Sequence, residues 1–371
     1  MLQKWGRLFG LACIVVTMAA AIALIGLHRT AQSSAMNKGI QPPDVSAKSV
    51  FVLNADTGEV LYEKNPDEIF RILSLTKLVT AYILVDRMGD RLSETIKINW
   101  PHLTGGSSAK LKRLDVWTLQ DLLYGMVLVS GNDASLAIAD AVGHDLLASE
   151  AKHGDTAKAT ARFVEEMEAA AKKLAAHNAR FADPYGLSPK NAATARDMGL
   201  IAAKIFVDPR ILPAWACTER TLHIAGRQPR TVELKTSLEI LGEGTVIGAK
   251  TGSHVSNNIY NLVTAWRAPN GQTIVGVVLG SKSHPARYDE MRAIIDSAPA
   301  IFRVWGRPRS LQSARPPIRA INGKSLDRLG AQTGAPGWAG ADKPPISTLN
   351  RNGGALDRAS GLWHSARLRR E

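Results

Sequence analysis

Ser74-Leu75-Thr76-Lys77-Leu78-Val79-Thr80 opens a run in which Leu75, Leu78, Val79, Tyr82, Val85 and Met88 recur at roughly 3.6-residue spacing, which predicts a helix reaching about Met88. Residues three apart share a helix face, so Ser74 meets Lys77 one turn on. A serine hydroxyl becomes a nucleophile when a base removes its proton. A lysine serves as that base once burial and a second cation push its pKa towards neutrality. Taken alone, the pair reads more readily as an N-cap serine and a solvated first-turn lysine.

Two further segments change the weighing. Ser130-Gly131-Asn132-Asp133 lies between the apolar stretch Leu122–Val129 and a second helical pattern, Ala134–Val142. It reads as a turn between helices, with Asp133 capping the next one, and it can project a hydroxyl and an amide into one site. Lys250-Thr251-Gly252 closes a short β-like run from Thr245 to Ala249. The runs Ile259–Trp266 and Thr273–Leu279 follow, joined by the hairpin signal Pro269-Asn270-Gly271. Lys250 is the expected second cation, and Gly252 leaves room for a ligand to approach the backbone. The faint echo of a phosphate-binding loop in Gly248-Ala249-Lys250-Thr251 is set aside because strands, not a helix, follow it.

Strand signals at Val50–Leu53 and Glu59–Tyr62, and again over Thr245–Leu279, bracket a middle dominated by helical patterns. A sheet assembled from both chain ends, with helices inserted between, satisfies this order and gives an α/β (α+β) fold class. The length of 371 residues, 45% apolar, is enough for one large core.

The chain resembles the low-molecular-mass penicillin-binding proteins of the D-alanyl-D-alanine carboxypeptidase type, the serine peptidases of family S11. The handful of matching stretches runs from about Ser49 to about Ala300. Besides the three motifs it includes Asp56-Thr57-Gly58, Phe181-Ala182-Asp183-Pro184-Tyr185-Gly186-Leu187 and Thr194-Ala195-Arg196-Asp197-Met198. The resemblance implies a β-lactamase/transpeptidase-like fold, with an antiparallel sheet flanked by helices and an inserted all-helical subdomain. It also implies removal of the terminal D-alanine from peptidoglycan stem peptides through an acyl-enzyme, with β-lactams as covalent inhibitors and no metal or organic cofactor. Position by position, Ser74 would be the nucleophile, Lys77 its general base and Ser130 the proton relay. Asn132 would hold the donor peptide. Lys250, Thr251 and Gly252 would form the carboxylate-binding strand, with Arg287 a further carboxylate ligand, and the backbone N–H groups of Ser74 and Ser253 the oxyanion hole.

The chain departs from the family pattern after Lys-Thr-Gly, where Ser253-His254 stand. His254 reads as a strand-end polar residue. The alternatives are a class A β-lactamase, a D,D-endopeptidase of the same family and a non-catalytic wall-binding protein. Against the lactamase, Gly131 stands inside the second motif, and Glu165, Glu166 and Glu168 fall on a helical pattern that reads as a solvated face.

The two ends carry other signals. Lys4 and Arg7 precede an apolar segment, Leu8 to Leu27, and Ser33-Ser34-Ala35 follows. Residues 1–35 therefore read as an export signal or a retained membrane anchor, placing the protein in the periplasm or another extracytoplasmic space. Residues 36–47 read as a linker, 48–300 as the catalytic domain and 301–371 as a Pro/Gly/Arg-rich tail without periodicity. From Arg303 on, thirteen Lys or Arg stand against four Asp or Glu, so the tail holds most of the net charge of +13. Such a tail suits an anionic membrane or wall polymer, and nucleic acid is not an expected partner.

Overall fold

The computed structural model describes residues 43–305, with side chains to residue 297. The apolar segment Leu8–Leu27 and the chain beyond Trp305 lie outside the described residues. Five antiparallel strands form the main sheet in the order β2-β1-β11-β10-β9, where β1 is Ser49–Asn54, β2 Val60–Lys64, β9 Val246–His254, β10 Ile259–Arg267 and β11 Thr273–Leu279. Strands from both chain ends meet where Ser49–Asn54 runs against Leu279–Ile274. The sequence expectation is met here. Both tight turns also form at their signals. The Asn54 side chain accepts from the N–H groups of Asp56 and Thr57 with Gly58 at φ +74°, and Gly271 takes φ +82° between β10 and β11.

Strand alternation divides the core into two layers. Phe51, Leu53, Val263, Val275 and Val277 face a large core built with the helices of the insert, whereas Val50, Val52, Leu262, Ile274 and Val278 face α7, His284–Trp305. Helix α7 continues five residues past the boundary expected at residue 300. The insert contributes α1 (Lys77–Met88), α2 (Leu119–Leu128), α3 (Asn132–Ser149), α4 (Thr156–Lys173), α5 (Ala195–Ile205) and the short α6 (Leu212–Trp215). Thr118 caps α2 by accepting from the Asp121 N–H at 3.0 Å. Thr194 and Asp197 form a reciprocal capping box on α5, which gives that family stretch a structural role.

The insert is not all helix. A four-stranded sheet, β4 (Thr95–Lys97), β5 (Asp115–Thr118), β7 (Glu219–Gly226) and β8 (Arg230–Lys235), packs beside α2, and β3 (Ile69–Arg71) pairs with β6 (Ala192–Thr194). Along β7 and β8 burial alternates with period two, Leu222, Ile224, Val232 and Leu234 facing inward. Cys217 is half-buried, its thiol donating to the Glu219 carbonyl at 3.1 Å.

Helices α3 and α4 pack closely where Gly143 faces α4, since a Cβ there would lie 2.0 Å from the Ala159 carbonyl oxygen. Gly143→Ala gains about 1 kcal/mol of helix propensity, but overpacking a backbone contact costs about 1–3 kcal/mol. The expected result is a net loss of stability, read as a lowered urea midpoint at unchanged slope. An unchanged or raised midpoint would show that the helix pair is looser than described.

Candidate active site

The nucleophile segment is shaped by contacts made before and beside it. Leu73 has φ +53° and starts a 3-10 turn, Leu73–Thr76, that runs into α1. Ser74 lies within this turn and its side chain caps nothing, so the bland N-cap reading fails. Asn261, a fully buried polar residue in apolar β10, donates to the Arg71 carbonyl at 3.0 Å and accepts from the Gly280 N–H at 3.0 Å, tying the segment to the sheet. Gly252 is pressed against the same segment, where a Cβ would lie 2.3 Å from the Ile72 carbonyl oxygen. The missing side chain makes room for that backbone contact. The motif also lies inside β9, which runs on to His254, rather than at a strand end.

Lys77 is completely buried, and its Nζ donates to Ser74 Oγ at 3.0 Å, to Asn132 Oδ1 at 2.8 Å and to the Tyr185 carbonyl at 2.8 Å. Burial holds its pKa well below the ordinary lysine range, and the Lys250 charge adds to this against the opposing pull of Asp183 and Asp133. No carboxylate is bonded to this amine; in its neutral form the two N–H groups go to Asn132 Oδ1 and the Tyr185 carbonyl, which leaves the lone pair to accept from the Ser74 hydroxyl. A neutral amine at 3.0 Å from a hydroxyl is in position to take its proton.

Ser130 has φ +56°, which turns its side chain into the cleft between α2 and α3. Its Oγ accepts from Lys250 Nζ at 3.0 Å. Among the described residues Ser130 is therefore bonded on the Lys250 side and not to Lys77. Asn132 Nδ2 donates to the Gly105 carbonyl at 2.8 Å and its backbone N–H to the Ser107 carbonyl at 2.7 Å, which fixes the amide between Lys77 and the loop over it. Asp133 is not the cap expected of it: Gly131 is the N-cap of α3, without a side-chain cap, and Asp133 lies in the first turn, where it holds that loop through Ser108 Oγ at 2.6 Å, the Ala109 N–H at 2.8 Å and the Leu111 N–H at 3.2 Å.

Lys250 is buried, and its pKa falls to about 7 through burial and then the nearby Arg287 charge. Arg287, in the first turn of α7, is buried as well; its Nη1 donates to Ser253 Oγ and its guanidinium stacks 4.8 Å from the Tyr288 ring centroid. Burial lowers the Arg287 pKa too. Two buried cations flanking the exposed end of β9 form a site that an anion stabilises, and Thr251 and Ser253 stand on that strand between them. The Ser74 N–H donates to no acceptor among the described residues, which leaves it available to an oxyanion. His254 ends β9, as expected, with Nδ1 buried and unpartnered.

The 183–188 loop closes the far side. Asp183 accepts from the Tyr185, Gly186 and Ser188 N–H groups, Thr80 Oγ1 donates to the Pro184 carbonyl at 2.6 Å, and Asn191 donates to Thr76 Oγ1 at 3.0 Å. Gly186, at φ +95°, has its Cα so near Leu73 that a Cβ would lie 2.0 Å from the Leu73 carbonyl oxygen. Asn261, Asn191 and the Tyr185 carbonyl are the members that motif reading missed. A polar residue within an apolar strand was the available sign for Asn261. Glu165, Glu166 and Glu168 lie on α4, where Glu166 pairs with Arg162 at 3.1 Å on the surface.

Residues 36–283 match the family model described as D-alanyl-D-alanine carboxypeptidase, peptidase family S11. The chain belongs to this family. It is 27% identical to the carboxypeptidase DacA of Haemophilus influenzae over 78% of this chain and 71% of that protein. It is 30% identical to DacC of Escherichia coli over 70% of this chain and 63% of that protein, and 28% identical to a Streptomyces carboxypeptidase over 78% of this chain and 98% of that one. The crystal structure of a Streptomyces DD-transpeptidase superposes with a TM-score of 0.65 at 28% identity, covering 70% of this chain and 100% of that one. The β-lactamase/transpeptidase-like fold is thereby established.

A depressed lysine pKa has a thermodynamic consequence with a definite sign. Between about 7 and the ordinary lysine value of about 10.4, the unfolded chain holds more protons than the folded one. Lys250 therefore makes stability climb as pH rises through that window and fall as pH drops towards 7, and Lys77, lowered as well, acts in the same direction. Urea midpoints measured from pH 7 to 10 should rise more steeply for the parent protein than for Lys77→Met/Lys250→Met. Parallel curves would mean that both ammonium groups keep ordinary pKa values.

Proposed function

We propose that this family member is a serine-type D-Ala-D-Ala carboxypeptidase, acting on peptidoglycan stem pentapeptides through a Ser74 acyl-enzyme and acylated by β-lactams. The observation that carries the reading is the buried, carboxylate-free Lys77 amine 3.0 Å from Ser74 Oγ, facing the Ser130–Lys250 pair. Ser74 Oγ attacks the carbonyl of the penultimate D-alanine while its proton passes to Lys77 Nζ. The N–H groups of Ser74 and Ser253 receive the oxyanion, and Asn132 orients the donor amide. Lys250, Thr251 and Arg287 hold the terminal carboxylate on the outer edge of β9, the last strand of its sheet, with Gly252 keeping that strand against the nucleophile. Collapse breaks the C–N bond, and the leaving amine takes the proton that Lys77 received, relayed through Ser130, so that Lys77 is neutral again. Water then attacks the ester with Lys77 as base, releasing the shortened stem and restoring Ser74.

The class A lactamase reading lacks support because no glutamate is hydrogen-bonded to this site among the described residues, whereas that class uses one to drive deacylation. The endopeptidase reading draws on relatives such as the D-alanyl-D-alanine endopeptidase of Escherichia coli, 29% identical over 44% of this chain, a shorter match than those of the carboxypeptidases. The expected placement is extracytoplasmic, in keeping with the basic-then-apolar N-terminus, residues 36–47 linking it to a catalytic domain. The basic tail beyond that domain is assigned to anionic wall or membrane surfaces.

Incubation with penicillin should add one penicilloyl mass, mapped to Ser74, and Ser74→Ala should abolish it. A stem pentapeptide should lose D-alanine while the β-lactam adduct persists. Rapid β-lactam turnover without D-alanine release would replace this reading with a lactamase, and the absence of both reactions would leave a binding protein.

A further inference from the structure

Lys112, Arg113, Leu114, Asp115, Arg227, Gln228 and Arg230 line a pocket of about 200 Å³ between the turn entering β5 and the β7–β8 hairpin. None of these residues belongs to the catalytic cleft. Four of them are cations against one carboxylate. Asp115 is committed already: its Oδ2 accepts from Arg230 Nη2 at 2.7 Å, the Lys112 N–H at 2.9 Å and Trp117 Nε1 at 3.2 Å. Lys112, Arg113 and Arg227 form no ion pair among the described residues, and all three are exposed. Arg230 Nε is buried without a partner, so the pocket wall carries an unsatisfied charged N–H donor. Beside it Trp100, 68% exposed, offers a ring face with the Arg113 guanidinium 5.5 Å from its centroid.

The pocket is wired to the active site through a short stretch of chain. Arg230 also donates to the Lys110 carbonyl, and Lys110 stands within the 107–111 loop that Asp133 and the Asn132 backbone hold, Asn132 in turn bonding Lys77. Lys110 is at φ +65°, a bend that places its carbonyl on the pocket side. A group bound at Arg230 therefore bears on the segment that positions Asn132.

We propose that this pocket is an oxyanion-binding site that takes a carboxylate or phosphate group of the wall polymer whose stem peptide enters the catalytic cleft. Guanidinium forks match the two oxygens of either group, and an adjacent exposed tryptophan face suits a sugar ring. The polymer's identity rests on the function proposed above, whereas the pocket's preference for an oxyanion does not.

The test compares the full-length protein with Lys112→Glu/Arg227→Glu, both exposed and outside the catalytic machinery, so the basic tail is common to both. Co-sedimentation with purified insoluble peptidoglycan should weaken about tenfold in the variant, and Lys112→Gln/Arg227→Gln should weaken it by less, while D-alanine release from a short soluble peptide stays within about twofold. Inorganic pyrophosphate should compete with the parent protein's binding. Hydrofluoric acid, which strips phosphodiester-linked polymers, separates the sources: binding that survives assigns the carboxylate, and binding that is lost assigns the phosphate. Equal sedimentation of parent and Glu variant would overturn the proposal. Loss of D-alanine release in the parent itself would instead overturn the functional reading and leave the sedimentation comparison intact.

Discussion

The arrangement depends on one buried amine. Lys77 gives up hydration on entering the core, and an ammonium there is tolerated only with strong compensation. Its three hydrogen-bond partners are a hydroxyl, an amide oxygen and a backbone carbonyl, none of them charged. That set satisfies an amine's geometry without stabilising its charge as a carboxylate would, and Lys250 adds repulsion. A conventional salt bridge at this position would restore the proton and disable the base.

Much of the surrounding structure can be understood as holding those three acceptors still. Asn191, Asp183 and Thr80 fix the loop that presents the Tyr185 carbonyl. Asp133 and the Gly105 carbonyl fix Asn132 and the loop above it. Asn261 and Gly252 fix the turn carrying Ser74 against the sheet. The left-handed backbone at Leu73 and Ser130 costs on the order of 1 kcal/mol at each non-glycine position, and it persists because these contacts over-determine both turns.

The motifs were legible because each depends on local spacing: three residues along one helical turn for Ser74 and Lys77, two along a tight turn for Ser130 and Asn132. The main sheet was legible because β1, β10 and β11 are apolar runs bounded by turn residues. What escaped were features set by distant partners. Strands β7 and β8 are half-polar, so their alternation competes poorly with the helical patterns beside them. The contact that Gly252 makes is set by the Ile72 carbonyl, 180 residues away in sequence. Asp133 looked like a cap because the loop residues it binds precede it by more than twenty positions.

Family membership supplies the reaction class, and the charge state of Lys77 is where the physical account is most exposed. The direct measurement is an NMR titration of the 13Cε resonance of Lys77 in protein labelled at lysine, assigned by loss of the signal in Lys77→Met. The account predicts an inflection well below the ordinary lysine value of about 10.4, the direction in which burial and the Lys250 charge push it. A resonance that stays at the ammonium position up to that ordinary value would contradict it.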